Sequence, residues 1–501
     1  MPVKKNILLL IAFCFSFNLF AQSYADKFFN LNNYLNQYYI SENPAFLHLD
    51  NSDELLSISS GYSGTEGSFK KFVDPGKTTN YSLSFEGKKT LDSIQIFKGS
   101  FSLSKQEYRD WQWNFTKYYN SGTPFLIGDS TTGKSRFNGI NIRSAYNRLL
   151  IEGLYAGAKI NYFVDEGLKT ISPRPVSEHR EIGLTLGLGY YLTTNFVAGI
   201  SIGMYDNFEK INYKEDEGAI YQETKIYKYS GLDLPQILSK KTESRYYYYN
   251  GYKGNLGFDF KMNEKIKVVS KFELENLRSS ISDGSTRPYD VGYYNVNNYS
   301  GQLAAVYLLE YFSGFMNYEY FNTAGWAKHP YYNILLMENE GEHHKIGLGC
   351  NYRITNNLSM ASDVSYKLGS IEYNDYYSGL DWNGDSNEFN FKFGLNIAVS
   401  SIIKTKLIYG YGVKKIFDAT MNYIGESFFS SNPRRTDALF LLTDYSNHFV
   451  GAEFNLLLEK AGKICFNINY NKYSPDESSV QYKNSDLNKV ELLLEYRVNV
   501  Y

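Results

Sequence analysis

Apolar side chains recur at every second position through most of this chain, and that period restricts the fold more than any other feature. Ile182, Leu184, Leu186, Leu188 and Tyr190 alternate with Gly183, Thr185, Gly187 and Gly189. Thr193-Thr194-Asn195 follows, and then Phe196, Ala198, Ile200, Ile202 and Met204 resume the alternation. A period of two is that of extended backbone, whereas a helix repeats at 3.6. A soluble chain of 501 residues would ordinarily divide into several domains containing helices. Here helical periodicity is almost absent after residue 50, and the runs are rich in the 48 Tyr, 34 Phe and 40 Gly. Alternating segments of about ten residues separated by Asn-rich turns read as an all-β transmembrane antiparallel β-barrel. The mean hydropathy of -0.40 agrees, because every other residue of such a barrel faces water.

The runs come in pairs. Short turns are expected at Lys89-Thr90, Asn147-Arg148, Thr193-Asn195, Asn263-Glu264, Tyr311-Phe312, Thr355-Asn356, Ser400-Ser401 and Ala461-Gly462. The alternate connections are long, as between Asp165 and His179, Lys214 and Ser244, and Asp418 and Tyr445. Eight short turns with both chain ends on the same side imply about 18 strands. The stretch from Phe101 to Arg136 leaves 16 as the alternative. The final alternation, Val490, Leu492, Leu494, Tyr496, Val498 and Val500, runs to the end of the chain. It is expected to pair with the first run, near Leu55 to Tyr62, and so close the barrel.

Parity assigns each strand a lipid face and a lumen face. Phe389, Phe391, Phe393, Leu395 and Ile397 oppose Glu388, Asn390, Lys392 and Asn396; Ile403, Leu407, Tyr409, Tyr411 and Val413 oppose Lys404, Lys406 and Lys414. Glu273 and Glu275 share a face with Lys267 and Lys271. The lumen therefore carries both signs of charge. That lining suits either selective conduction or an internally salt-bridged wall, and the mixture of signs favours the wall.

The chain begins with Lys4-Lys5, an apolar run from Ile7 to Phe20 and a small residue at Ala21, the pattern of a signal peptide over 1–21. Without it the chain has 49 Lys and Arg against 53 Asp and Glu, a net charge of -4 with no basic surface for nucleic acid. Cys350 and Cys465 read as small filler residues and not as a disulfide. Residues 22–50 form an N-terminal periplasmic or plug segment, and 51–501 the barrel. Tyr24, Phe28, Leu31, Leu35 and Tyr38 fall at helical spacing, with Ser23 or Asp26 as caps, and the helix is expected to stop before Asn43-Pro44. Its apolar stripe needs a surface, either the periplasmic mouth of the barrel or a periplasmic partner, and the mouth is the expected one.

Asp74-Pro75-Gly76-Lys77-Thr78-Thr79-Asn80-Tyr81-Ser82, Gly128-Asp129-Ser130 after Pro124-Phe125, and Pro173-Arg174-Pro175 resemble an uncharacterised outer-membrane β-barrel family of the Bacteroidota, a domain of unknown function spanning nearly the whole chain. Its members resemble accessory barrels found beside TonB-dependent receptors. The resemblance implies the cell outer membrane, contact with its lipid, and accessory service in nutrient or metal uptake with a receptor partner. Asn43-Pro44-Ala45 resembles the tripeptide near the start of type IX secretion and fatty-acid-channel barrels. The alternative is accordingly a structural or docking barrel in a secretion or surface-assembly complex. No plug domain or TonB-box-like region is evident, which argues against an autonomous active transporter.

Chemistry-bearing clusters are sparse, and no catalytic, cofactor or metal residue is assigned; the expectation is a protein that is not an enzyme. His179 and His329 read as loop residues without a nucleophile at useful spacing. His343-His344 after Glu340 and Glu342 could ligate a metal but reads better as the start of a strand. Asp381, Asn383, Asp385 and Asn387 alternate like a calcium loop, yet position 392 is Lys where the bidentate Glu belongs. Ser244-Arg245-Tyr246-Tyr247-Tyr248-Tyr249, with Tyr252, reads as an aromatic girdle, or as a stacking platform for sugars.

Overall fold

A computed structural model describes residues 36–50, 55–117, 122–214, 225–229, 236–238, 242–284, 286–376, 379–423, 433–458, 461–476 and 482–499. The proposed signal peptide, residues 22–35 and Tyr501 lie outside them. Eighteen antiparallel strands form one closed sheet. In chain order these are β1 (Leu55–Gly67), β2 (Lys77–Asp92), β3 (Gln95–Arg109), β5 (Ser135–Ile151), β6 (Leu154–Lys169), β7 (Val176–Thr193), β8 (Phe196–Lys214), β11 (Thr242–Lys261) and β12 (Ile266–Asp283). They continue with β13 (Tyr289–Leu308), β14 (Phe312–Lys328), β15 (Leu335–Thr355), β16 (Leu358–Asp375), β17 (Leu380–Ala398), β18 (Ile403–Tyr423), β19 (Tyr445–Leu457), β20 (Lys463–Pro475) and β21 (Leu487–Asn499). Three short strands, β4 (Ile127–Asp129), β9 (Ile226–Lys228) and β10 (Gln236–Leu238), form a separate sheet in the order β10-β9-β4.

β21 closes the cylinder on β1 with Leu55 opposite Asn499 and Tyr62 opposite Leu492. Its alternation therefore reaches so near the chain end because a neighbour strand takes its hydrogen bonds. The rim carrying both sheet ends also carries the eight short turns and is called the near rim; the long connections form the far rim. β19, β20, β21 and β1, around the seam, have 13 residues each, against 21 in β15 and β18.

Side-chain parity agrees with the expectation. Leu186, Leu188, Ile200, Ile202 and Met204 stand exposed on the outer wall, whereas Lys406 is 9% exposed on the inner one. On β7 the outward residues are apolar from Ile182 to Leu192 and polar beyond, at Arg180 and Glu178. About eleven tilted residues match an apolar band of about 25 Å. The longer strands thus carry polar outer surface beyond the band at the far rim. Together these features make the protein an integral membrane barrel.

Two of the expected turns shift. Lys89-Thr90 lies within β2 and Asn147-Arg148 within β5; the chain reverses between Asp92 and Gln95 and between Ile151 and Leu154 instead. Polar residues there suggested turns, but Lys88 and Asn147 are inward-facing groups that hold another segment. Asp165 and His179 likewise do not bound a long loop, because they are cross-strand neighbours in the β6–β7 ladder.

The wall assignment gives a direct test. Leu186→Arg should oppose insertion by about 2–4 kcal/mol, the cost of a cation near the bilayer midplane. Assembly is read from the heat-dependent gel migration of a closed barrel, which Leu186→Arg should lose and Lys406→Gln should keep.

Candidate functional site

Residues 36–50 enter the barrel at the near rim and pack on its inner wall. Asn36 caps α1 (Gln37–Ser41), its side-chain oxygen accepting from the Tyr38 amide at 3.0 Å. The expected stop before Asn43-Pro44 is present: Glu42 takes φ 54°, and a 3₁₀ turn (Pro44–Leu49) follows with Pro at its first position. Asn43 caps that turn, accepting from the Ala45 amide at 2.9 Å. Its side-chain amide donates to the Leu188 and Ile200 carbonyls at 3.3 and 3.1 Å. Asn147 donates to the Ala45 carbonyl at 2.7 Å, and Gln37 to the Ser270 carbonyl at 2.8 Å. Glu42 meets Lys159 at 2.8 Å, while Lys88 and Lys98 converge on Asp50 from β2 and β3.

The wall is hollowed to receive this segment. A Cβ on Gly187 would lie 1.9 Å from the Asn43 side-chain oxygen, and one on Gly199 would lie 2.5 Å from the tip of the Phe46 ring. Only glycine allows so close an approach. Pro44 lies against Gly157 and Phe46 also against Gly257, so four adjacent strands contribute to one socket. Ala45, Phe46 and Leu47 are fully buried. Burial of Phe46 alone stabilises the seat by about 2–3 kcal/mol.

The far rim is filled by another route. Trp111, Phe115, Phe125 and Ile127 from the β3–β5 connection pack with Ile226 and Leu238 of the small sheet and with inward residues such as Phe137, Tyr247 and Tyr294. Ala438 of α2 (Pro433–Leu441), on the β18–β19 connection, joins the same core. Arg245 fastens this cap. Its guanidinium donates to both Asp283 oxygens at 2.7 and 2.9 Å and to the Leu126 and Tyr229 carbonyls at 2.7 and 2.9 Å. Lys169 meets Asp129 at 2.6 Å and Lys228 meets Asp283 at 2.8 Å. Removing one partner from such a buried pair typically costs 3–5 kcal/mol. Between cap and N-terminal segment lies a polar chamber of about 360 Å³, lined by Glu42, Lys159, Asn161, Tyr205, Lys253 and Glu275.

Several sequence expectations are redistributed. His179 is no loop residue; it is 3% exposed on the inner face of β7, its Nδ1 3.3 Å from Asp165 and its Nε2 2.9 Å from Asn207. His329 lies on the β14–β15 connection, stacked on Tyr332, so the two histidines do not meet. His343 and His344 sit inside β15, where neighbouring side chains point to opposite faces and cannot share an ion. Asp381, Asn383 and Asp385 lie on β17, not on a loop; they form a row along a strand instead of wrapping around a point. The tyrosine run splits by parity: Tyr248 and Tyr252 stand outward at 45% and 60% exposure, while Tyr247 and Tyr249 are buried under the cap. Cys350 and Cys465 are both free.

A model of a family of unknown function (DUF6850) matches residues 44–497. The chain belongs to this family. No curated protein matches it. Among solved structures the family member is similar to a toluene transporter of Ralstonia pickettii, TbuX, at 10% identity and a TM-score of 0.30, over 95% of this chain and 100% of that one. The ferric-catecholate import receptor Fiu of E. coli K12 gives 8%, 0.40, 89% and 82%, and a mutant of the monoaromatic hydrocarbon channel TodX gives 10%, 0.33, 92% and 93%. All three are barrels; scores this low carry no argument about cargo. The family match begins one residue after Asn43, so the socket glycines and the Pro44–Leu49 turn of their occupant belong to the shared region, while α1 and Asn43 precede it.

His48 makes the seat sensitive to acid. Its ring stacks on Tyr155 at 3.6 Å, Nδ1–H donates to the Ala45 carbonyl at 2.7 Å, and burial pushes its pKa down to about 4. An unseated segment would protonate near the ordinary histidine value of about 6.5. The seated state binds fewer protons, so seating is undiminished above pH 6.5 and weakens as pH falls from there to about 4. The full loss is of order 3 kcal/mol. Thiol labelling of Ala45→Cys in a chain lacking Cys350 and Cys465, taken at each pH relative to an exposed free thiol, should accelerate over that window, and His48→Phe should flatten the response.

Proposed function

We propose that this protein is an outer-membrane barrel that serves nutrient or metal uptake as an accessory of a receptor partner, with its lumen occluded at rest. The single observation that carries the reading is the seating of residues 36–50 on the inner wall at the near rim and of a packed cap at the far rim, on either side of a polar chamber. The near rim faces the periplasm in this reading, residues 1–21 are a cleaved signal peptide, 22–50 a plug and 51–501 the barrel. A lumen walled by ion pairs such as Lys253–Glu273, at 2.9 Å, and Lys345–Glu319, at 3.2 Å, suits a conduit that opens on a signal better than a standing pore. A barrel of this size with an empty lumen would be an aqueous channel. An occluded one needs an input to open it, and a partner is the source of that input. The resemblance to accessory barrels of the Bacteroidota supports a TonB-dependent receptor as that partner. The reading is of a protein that is not an enzyme.

One observation favours the second reading, a docking barrel in a secretion or surface-assembly complex. Glu340, Glu342, Glu372, Asp385 and Asp418, on four adjacent strands, line an outer-wall groove of about 330 Å³ near the far rim. An acidic outer face there would suit lateral contact with a basic protein surface.

Affinity purification of the tagged chain from gently solubilised outer membranes separates these readings. Co-purification of a TonB-dependent receptor in stoichiometric amount is expected. Recovery of secretion components instead would support the second reading, and recovery of the barrel alone would count against both.

A further inference from the structure

The polar chamber between the cap and the N-terminal segment, about 360 Å³, has a size that suits a small organic solute. Its wall runs across β6, β7, β8, β11 and β12, and Ser41 and Glu42 of the segment complete it. Both lysines on this wall are already engaged: Lys159 meets Glu42 at 2.8 Å, and Lys253 meets Glu273 at 2.9 Å. Glu275 accepts from the Tyr205 hydroxyl at 3.1 Å and from the Asn298 amide at 2.8 Å. Lys253 stands directly opposite it in the β11–β12 ladder. An entering anion would have to break a lysine pair, and an entering cation at Glu275 would meet Lys253. Charge here is balanced locally, which favours an uncharged guest.

Neutral hydrogen-bonding capacity is what remains. Asn161, on β6, has a buried side-chain oxygen with no hydrogen-bond partner among the described residues. A half-turn of that amide presents either its oxygen or its N–H groups to the chamber. Thr185 on β7 and Ser201 on β8 add hydroxyls, each both donor and acceptor. An ionised carboxylate has about four acceptor positions, so the two neutral donors on Glu275 leave it capacity for more. The Tyr205 ring at this corner is pinned, because a Cβ on Gly251 would lie 1.9 Å from it. Gly183 has the opposite role. Among the described residues a Cβ there would meet nothing nearer than Tyr205 at 3.7 Å, so the missing side chain leaves room in the chamber.

We propose that the chamber is a binding site for a small, neutral, polyhydroxylated solute. Hydroxyls of the solute donate to Glu275 and Asn161 and accept from Thr185, Ser201 and the Asn161 amide. A site whose buried polar groups are met by hydroxyls rejects an analogue that lacks them, because those groups would be left unpaired. As recognition of cargo this rests on the uptake reading; as binding it stands without it.

The test is equilibrium dialysis of the whole purified chain against radiolabelled glucose, and separately maltose, in a detergent without a sugar headgroup. Saturable binding of at least one is expected. Cyclohexanol, a ring with a single hydroxyl, should not displace the bound sugar, and the charged analogues glucuronate and glucosamine should displace it at least tenfold less well than glucose. Asn161→Leu and Gly183→Val should each weaken binding about tenfold or more, the first by removing hydrogen bonds and the second by filling the chamber. Ser365→Val, on the lumen side of β16, should leave it unchanged. Each variant is first checked for heat-dependent gel migration. Gly183→Val, which adds a strand-favouring side chain where Cβ meets no clash, serves should Asn161→Leu assemble poorly. Absence of saturable binding of both sugars would overturn the proposal. So would displacement by cyclohexanol or the charged analogues as effective as that by glucose. Binding that neither chamber substitution weakens, or that all three substitutions weaken alike, would overturn it too. Recovery of the barrel alone in the purification experiment would count against the uptake reading and leave a measured sugar affinity intact. Failed sugar binding would remove this solute class and leave the uptake reading standing.

Discussion

Backbone hydrogen bonding in lipid is the constraint on which the rest of the structure depends. A peptide group left unpaired in hydrocarbon costs several kcal/mol, so a sheet in that solvent must have no free edge. The β1–β21 ladder removes the edge, with every residue from Leu55 to Gly67 opposite one from Leu487 to Asn499. Once the sheet is closed, alternation sorts side chains into a lipid set and a lumen set. No register slip is tolerated, because a shift of one residue would send Lys406 to the lipid and Leu407 to the lumen.

Closure leaves a wide polar interior, and at each rim a segment seats in it by different chemistry. At the far rim, aromatic side chains supply bulk and buried ion pairs supply attachment. Arg245 ties Asp283 of the wall to two carbonyls of the cap, so wall and cap are cross-linked by one guanidinium. At the near rim the wall recedes, and glycines admit a short segment whose capping asparagine doubles as its fastener. Neutral hydrogen bonds, one buried ring, a titratable imidazole and the ion pairs of Glu42 with Lys159 and of Asp50 with Lys88 hold that seat. The imidazole makes it sensitive to acid.

The barrel was legible in the sequence because period-two patterning is a direct image of a lipid face and a water face. Strand number, closure partner and facing followed from it. What failed was the reading of polar residues inside strands. Asn147 looked like a turn, and Asp165 and His179 looked like loop boundaries, because interior partners are invisible along a single chain. The tyrosine run looked like one feature, yet alternation gives Tyr248 to the outer wall and Tyr247 to the cap. The socket left a trace in the glycines of the inward parity, Gly187, Gly189 and Gly199, whose spacing says that something comes close. The occupant could be suspected from Asn43-Pro44 but not placed.

The central claim is that the N-terminal segment, seated in its glycine socket, keeps an otherwise wide barrel closed. Single-channel recording in planar bilayers tests it most directly, on the intact chain, on a chain whose far-rim cap is loosened by the paired substitutions Arg245→Met and Asp283→Leu, and on that chain with Gly187→Leu added, whose side chain occupies the place of Asn43. The account requires silence from the first two and a large, steady conductance from the third, with all three showing heat-dependent gel migration. A cap-loosened chain that conducts steadily with or without Gly187→Leu would contradict it.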